Sequence, residues 1–154
     1  MIYTSTKTYG HEIGLSVAFR QWKAKSHCSL IHGYALAIRL EFEATELDER
    51  NWVIDFGGLK DLKANFQRMF DHKLLVAEDD PQLDELCQLQ GLGVADVIVV
   101  KATGCEAFAK LVYDETEIWL ECNRHSPRVR IAKVEVSEHG ANSAIYMKDK
   151  DGYK

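Results

Sequence analysis

The sequence predicts an α+β fold: an antiparallel four-stranded sheet with two main helices on one face. Two early segments alternate apolar and polar residues with a period of two. Two middle segments repeat apolar residues at helical spacing, and two late segments alternate again. The chain of 154 residues is read as one domain, 1–154, with an insertion at about 78–101.

The first strand is expected from His11, with Ile13, Leu15, Val17 and Phe19 sharing its face. A polar loop, Lys23 to Ser29, leads to a second, antiparallel strand. There His32, Tyr34, Leu36, Ile38, Leu40 and Phe42 alternate with Gly33, Ala35, Ala37, Arg39, Glu41 and Glu43. Asp55 reads as the N-cap of a helix carrying Leu59, Leu62, Phe66 and Met69, which ends near Phe70. A short helix is expected at Pro81, with Asp80 as cap and Leu83, Leu86 and Leu89 on one face. A brief strand, Asp96 to Lys101, follows. Thr103-Gly104-Cys105-Glu106 reads as a capping box opening a helix with Phe108, Leu111, Val112 and Trp119 in its stripe. Strands over Val129 to Glu138 and about Ser143 to Lys148 complete the plan. An open four-stranded sheet exposes its edges, which favours assembly through them.

A net charge of -5 argues against a nucleic-acid partner. The apolar runs are too short to span a bilayer, the start of the sequence is polar, and the four cysteines are scattered, so a reducing cytoplasm is expected.

Several residues could carry chemistry. Cys28 lies near Lys23, Lys25 and His27, whose charge favours a thiolate; the other reading is a small inert side chain. Asp71-His72 follows a helix end, either as an acid/base pair or as two solvated polar groups. Glu138 ends an apolar face shared with Ala132, Val134 and Val136. It is either a carboxylate awaiting the paired N–H donors of a pterin or guanine edge, or a strand end entering solvent. His32 and Tyr34 share a strand face, but tyrosine is a poor zinc ligand, so His32 reads as structural. Gly91-Leu92-Gly93 lacks the pattern of a dinucleotide loop, and Glu78-Asp79-Asp80 reads as a solvated helix start.

In order and spacing these residues resemble the 6-pyruvoyl- and 6-carboxytetrahydropterin synthase family, whose subunit is the tunnelling fold (T-fold). The family pattern Ser-Ala-Ala-His-Arg, then Cys-x-x-x-His-Gly-His, is matched by Ser16-Val17-Ala18-Phe19-Arg20 and Cys28-Ser29-Leu30-Ile31-His32-Gly33-Tyr34. Trp52-Val53-Ile54-Asp55-Phe56-Gly57-Gly58-Leu59-Lys60 resembles its Trp-Val-x-Asp-Phe-x-x-Leu-Lys segment. Phe70-Asp71-His72 matches Leu-Asp-His, and Thr103-Gly104-Cys105-Glu106 resembles its Thr-Ser-Glu helix start.

The resemblance, which covers about Glu12 to Tyr146, implies Cys28 as a proton-transferring thiol with Asp71 and His72 as its acid/base partners. It implies Glu138, with Thr103 and Glu106, at the substrate. It implies a carbon–oxygen or carbon–carbon lyase acting on a dihydroneopterin-type substrate in a pterin or queuosine-precursor pathway. Alternatives are a metal-free pterin aldolase and a non-catalytic pterin- or purine-binding homologue. It further implies a homohexamer of two stacked trimeric barrels with sites at subunit contacts. The family's three zinc histidines fall on Phe19, His32 and Tyr34, so one ligand of three is retained and no bound zinc is expected unless His11 or His27 substitutes.

Overall fold

The computed structural model describes residues 1–149 of the chain. Strand β3 (His32–Ala44) organises it, because its thirteen residues are long enough to pair with different partners along its length. Its first half pairs antiparallel with β2 (Leu15–Phe19), and its second half with β1 (Tyr3–Tyr9). Along the opposite edge it pairs with β6 (Val129–His139), which pairs in turn with β7 (Asn142–Tyr146). Beyond β2, two parallel strands extend the sheet: β4 (Lys73–Ala77) and β5 (Val97–Val100). Among the described residues the sheet therefore has seven strands and is mixed, against the expected four antiparallel ones.

Helix α1 (Lys60–Phe70) packs on β2 and β4, and α3 (Cys105–Cys122) packs on β6 and β7. Between sheet and helices lie Phe19, Phe42, Phe66, Phe70, Phe108 and Tyr113, all buried. Leu36, Ile38, Leu40 and Phe42 point inward from β3, as alternation predicts, while Arg39, Glu41 and Glu43 stay partly exposed.

Some expectations need correction. His11–Ile13 is a turn of 3-10 helix, not strand, because Gly14 adopts a left-handed conformation with φ 75° and breaks the extended chain. β1 went unread because it is polar; its threonines and tyrosines fit an exposed edge strand. β4 went unread because a buried parallel strand has an unbroken apolar run, here Leu74-Leu75-Val76-Ala77, rather than alternation. The 78–101 segment holds α2 (Leu83–Gly91) and β5, which complete a strand–helix–strand crossover from β4. Asp55 caps a 3-10 turn, Phe56–Leu59, that leads into α1; its carboxylate accepts from the Gly57 amide at 2.8 Å. The capping box is not formed. Gly104 is the N-cap, at φ 112°, and the Thr103 hydroxyl instead donates to the Arg20 carbonyl at 2.7 Å. On β6 a bulge opposite Glu41 and Phe42 shifts the inward positions from Val129 and Ile131 to Val134 and Val136, leaving Ala132 off that face.

Candidate functional site

The ends of β2 and β3 meet so that Phe19 is paired with His32. The ring centroids of Phe19 and His32 lie 5.1 Å apart, those of Phe19 and Tyr34 6.2 Å, and those of His32 and Tyr34 5.5 Å. The side chains that the resemblance places at zinc-ligand positions thus converge. Phe19 is fully buried and stands edge-on to Phe108 of α3 at 4.9 Å. The backbones approach closely here: a Cβ on Gly33 would lie 2.5 Å from the Val17 carbonyl oxygen, so glycine is required at that position.

Around this cluster stand Cys28, Cys105 and Glu138. Cys28 sits in a 3-10 turn, His27–Ser29, capped by the Ser26 hydroxyl. Glu138 is half-buried at the irregular end of β6. Burial first, then the Glu138 carboxylate, push the Cys105 thiol at the start of α3 up to about 12, so it stays protonated. The Tyr34 phenol is raised too, by burial first and then by Glu138, Cys28 and Cys105. Tyr34 therefore stands within electrostatic reach of both the thiol and the carboxylate that the sequence singled out.

Asp71 and His72 lie elsewhere. Asp71 closes α1, and its carboxylate accepts from the Ser16 amide at 3.3 Å. His72 adopts a left-handed conformation at φ 58°, its amide donates to the Ser16 carbonyl at 2.6 Å, and its Nδ1 lies 2.8 Å from the Asp71 carboxylate. Its imidazole is 85% exposed and borders a groove of about 490 Å³ with Ser16, Ala18, Gly33 and Ala35. By strand alternation those positions point away from Phe19, His32 and Tyr34. One chain therefore presents the two halves of the expected set on opposite sides of the sheet.

Of the two expected binding residues on the α3 start, the Thr103 hydroxyl is occupied by Arg20, and Glu106 is exposed in the first turn. Sequence reasoning missed Cys105; its only signal was its place within the Thr-Ser-Glu-like segment. It also missed Asp80, which is buried rather than solvated. Arg20 Nε and Nη2 donate to its two carboxylate oxygens at 2.8 and 2.7 Å, holding the Asp80 carboxyl below the usual range. Arg20 Nη1 also donates to the Ser29 carbonyl at 3.2 Å, so one guanidinium ties the Cys28 turn to the start of the 78–101 segment.

The positions of Phe19, His32 and Tyr34 do not fit zinc, which takes three protein nitrogen or sulfur donors in such a site. They supply a phenyl ring, an imidazole whose Nδ1–H donates to the Leu30 carbonyl at 2.7 Å, and a protonated phenol. His11 Nδ1 is hydrogen-bonded to the Ala35 carbonyl. Among the described residues no group of three or more His, Cys, Asp or Glu side chains is placed to hold a metal ion.

Fold and site together define an α+β protein in which a carboxylate and two thiols act electrostatically on one tyrosine beside the paired ends of β2 and β3. The family model for 6-pyruvoyl tetrahydropterin synthase matches residues 10–149, and the chain belongs to that family. It is 24% identical over 150 residues to a 6-carboxy-5,6,7,8-tetrahydropterin synthase of Aquifex aeolicus, covering 96% of this chain and 90% of the relative. Among solved structures, an uncharacterized protein from Wolinella succinogenes superposes with a TM-score of 0.80 at 17% identity, covering 97% and 99% of the two chains. The 6-pyruvoyl tetrahydropterin synthase of Plasmodium falciparum does so at 0.68 and 16%, covering 96% and 98%. The fold is accordingly the T-fold.

Proposed function

We propose that this chain binds a dihydroneopterin-type pterin through Glu138 and cleaves its side chain as a lyase that does not use zinc. The observation that carries the reading is the grouping of Cys28, Glu138 and Cys105 about Tyr34. A pterin offers two parallel N–H donors along its guanidine-like edge, which suit a carboxylate already partly withdrawn from water. Cys28 acts as the proton-transferring thiol. Asp71 and His72 are its acid/base partners, supplied by a neighbouring copy, since within one chain they face away from it. This requires a homo-oligomer, expected as a hexamer, and the outer edge of β7 offers a strand for pairing. The buried phenyl of Phe19 at a ligand position also supports a second reading, metal-free aldolase-type cleavage on the same pocket.

The test is incubation with dihydroneopterin triphosphate, with and without added zinc, and identification of products by mass. Turnover in chelator that is lost in Cys28→Ala supports the proposal. A 6-pyruvoyl or 6-carboxy product identifies the lyase, and a 6-hydroxymethyl product the aldolase. Binding without turnover indicates a non-catalytic homologue, and a strict zinc requirement overturns the metal-free reading.

A further inference from the structure

The three convergent rings are not equivalent. Phe19 is sealed in the core against Phe108 and has no polar atom to offer. His32 spends its Nδ1 proton on the Leu30 carbonyl; that partner can only accept, so in the neutral imidazole Nε2 is left as an acceptor. Tyr34 is half-buried and stands at 89° to the His32 ring, with the His139 ring 6.0 Å away on β6. Among the described residues its hydroxyl has no hydrogen-bond partner of its own. It is an O–H donor within electrostatic reach of Glu138, Cys28 and Cys105.

We infer that the Tyr34 hydroxyl is the group that recognises and polarises the oxygen on the ligand's side chain. This rests on the pterin reading above and goes beyond it. With Glu138 holding the guanidine-like edge, the opposite substituent of the ring system would reach the paired ends of β2 and β3, where a neutral donor meets its first oxygen. The phenol gives a hydrogen bond and keeps its proton, so no bond to Tyr34 breaks. The consequence is selectivity. A ligand lacking that oxygen leaves a half-buried hydroxyl unpaired, and a site built to pair a polar group discriminates against analogues that lack it.

Two probes decide it: 6-hydroxymethylpterin and 6-methylpterin, titrated by fluorescence quenching into the wild type and Tyr34→Phe, in chelator and again with zinc. Tyr34→Phe removes one oxygen and keeps the ring contacts. The wild type is expected to prefer the hydroxymethyl ligand by about tenfold, the scale of one neutral hydrogen bond. Tyr34→Phe is expected to abolish the preference while leaving 6-methylpterin affinity within about twofold of wild type. Retained discrimination in Tyr34→Phe, equal affinities in the wild type, or discrimination that appears only with zinc overturns the assignment to Tyr34. Failure of both probes to bind the wild type overturns the pterin reading and this inference together. A melting temperature of Tyr34→Phe near that of wild type confirms that a lost preference is not a folding defect.

Discussion

Replacing Asp80 by alanine removes both acceptors of a bidentate ion pair and leaves the Arg20 guanidinium enclosed. The Asp80 side chain is 1% exposed and that of Arg20 18%, so neither partner is rescued fully by water. Breaking a buried pair by deleting one partner costs about 3–5 kcal/mol. For a chain of this size each kcal/mol lowers the melting temperature by about 2–4 °C, which gives a fall of roughly 6–20 °C. The neighbouring Lys23–Asp79 pair is a built-in control. Its side chains are 72% and 52% exposed, so Asp79→Ala is expected to lower the melting temperature far less than Asp80→Ala.

The pH dependence has a definite sign. Arg20 depresses the Asp80 carboxyl in the folded state, first through its hydrogen bonds. The stabilisation is therefore present above the unfolded carboxyl's pKa, about 3.9, and is lost as pH falls through the lower folded value. Thermal melts by circular dichroism should show the widest gap between wild type and Asp80→Ala near neutrality, narrowing below about pH 4. Because Arg20 also holds the Ser29 carbonyl, the variant should release the Cys28 turn and expose it to faster amide exchange. An Asp80→Ala protein that melts within about 2 °C of wild type at pH 7, or a gap that widens toward acid, refutes the reasoning.

Gly33→Ala would put a methyl group 2.5 Å from the Val17 carbonyl oxygen, so β2 and β3 must part. A loss of about 2–4 kcal/mol is expected by chemical denaturation, and a neutral result would show that the strands separate freely. Phe19→His combined with Tyr34→His places three imidazoles on positions whose rings now lie 5.1–6.2 Å apart. The double variant should carry near one zinc per chain by metal analysis, against well under one for wild type, at a cost in stability of a few kcal/mol for the lost Phe19 core contact (roughly 2–4). Stoichiometric zinc in the wild-type protein would refute the metal-free reading.

The central strands were legible because β3 and β6 are each buried on one face, which imposes a period of two. Helices α1 and α3 were legible because Leu62, Phe66, Phe108 and Val112 recur at helical spacing and are buried. β1 was hidden by its polar edge position, and β4 by burial on both faces, each of which erases alternation. Cys28, Asp71, His72 and Glu138 stand out as candidates by residue type and order alone. Their division between two sides of the sheet could not, because it depends on which way strand neighbours point near a chain reversal. Asp80 was misread because a carboxylate in an acidic run has the signature of a solvated face, and its partner Arg20 lies sixty residues earlier. Beyond its place in the Thr-Ser-Glu-like segment Cys105 gave no local sign, since its proximity to Glu138 joins a helix start to the far end of β6.

The account depends most on Glu138 as the anchor of the pterin edge. Isothermal titration of 6-hydroxymethylpterin into wild type and Glu138→Ala tests it directly. Loss of a doubly hydrogen-bonded carboxylate is predicted to weaken binding by about 100-fold or more, with the melting temperature little changed. Binding to Glu138→Ala at wild-type affinity would contradict the account.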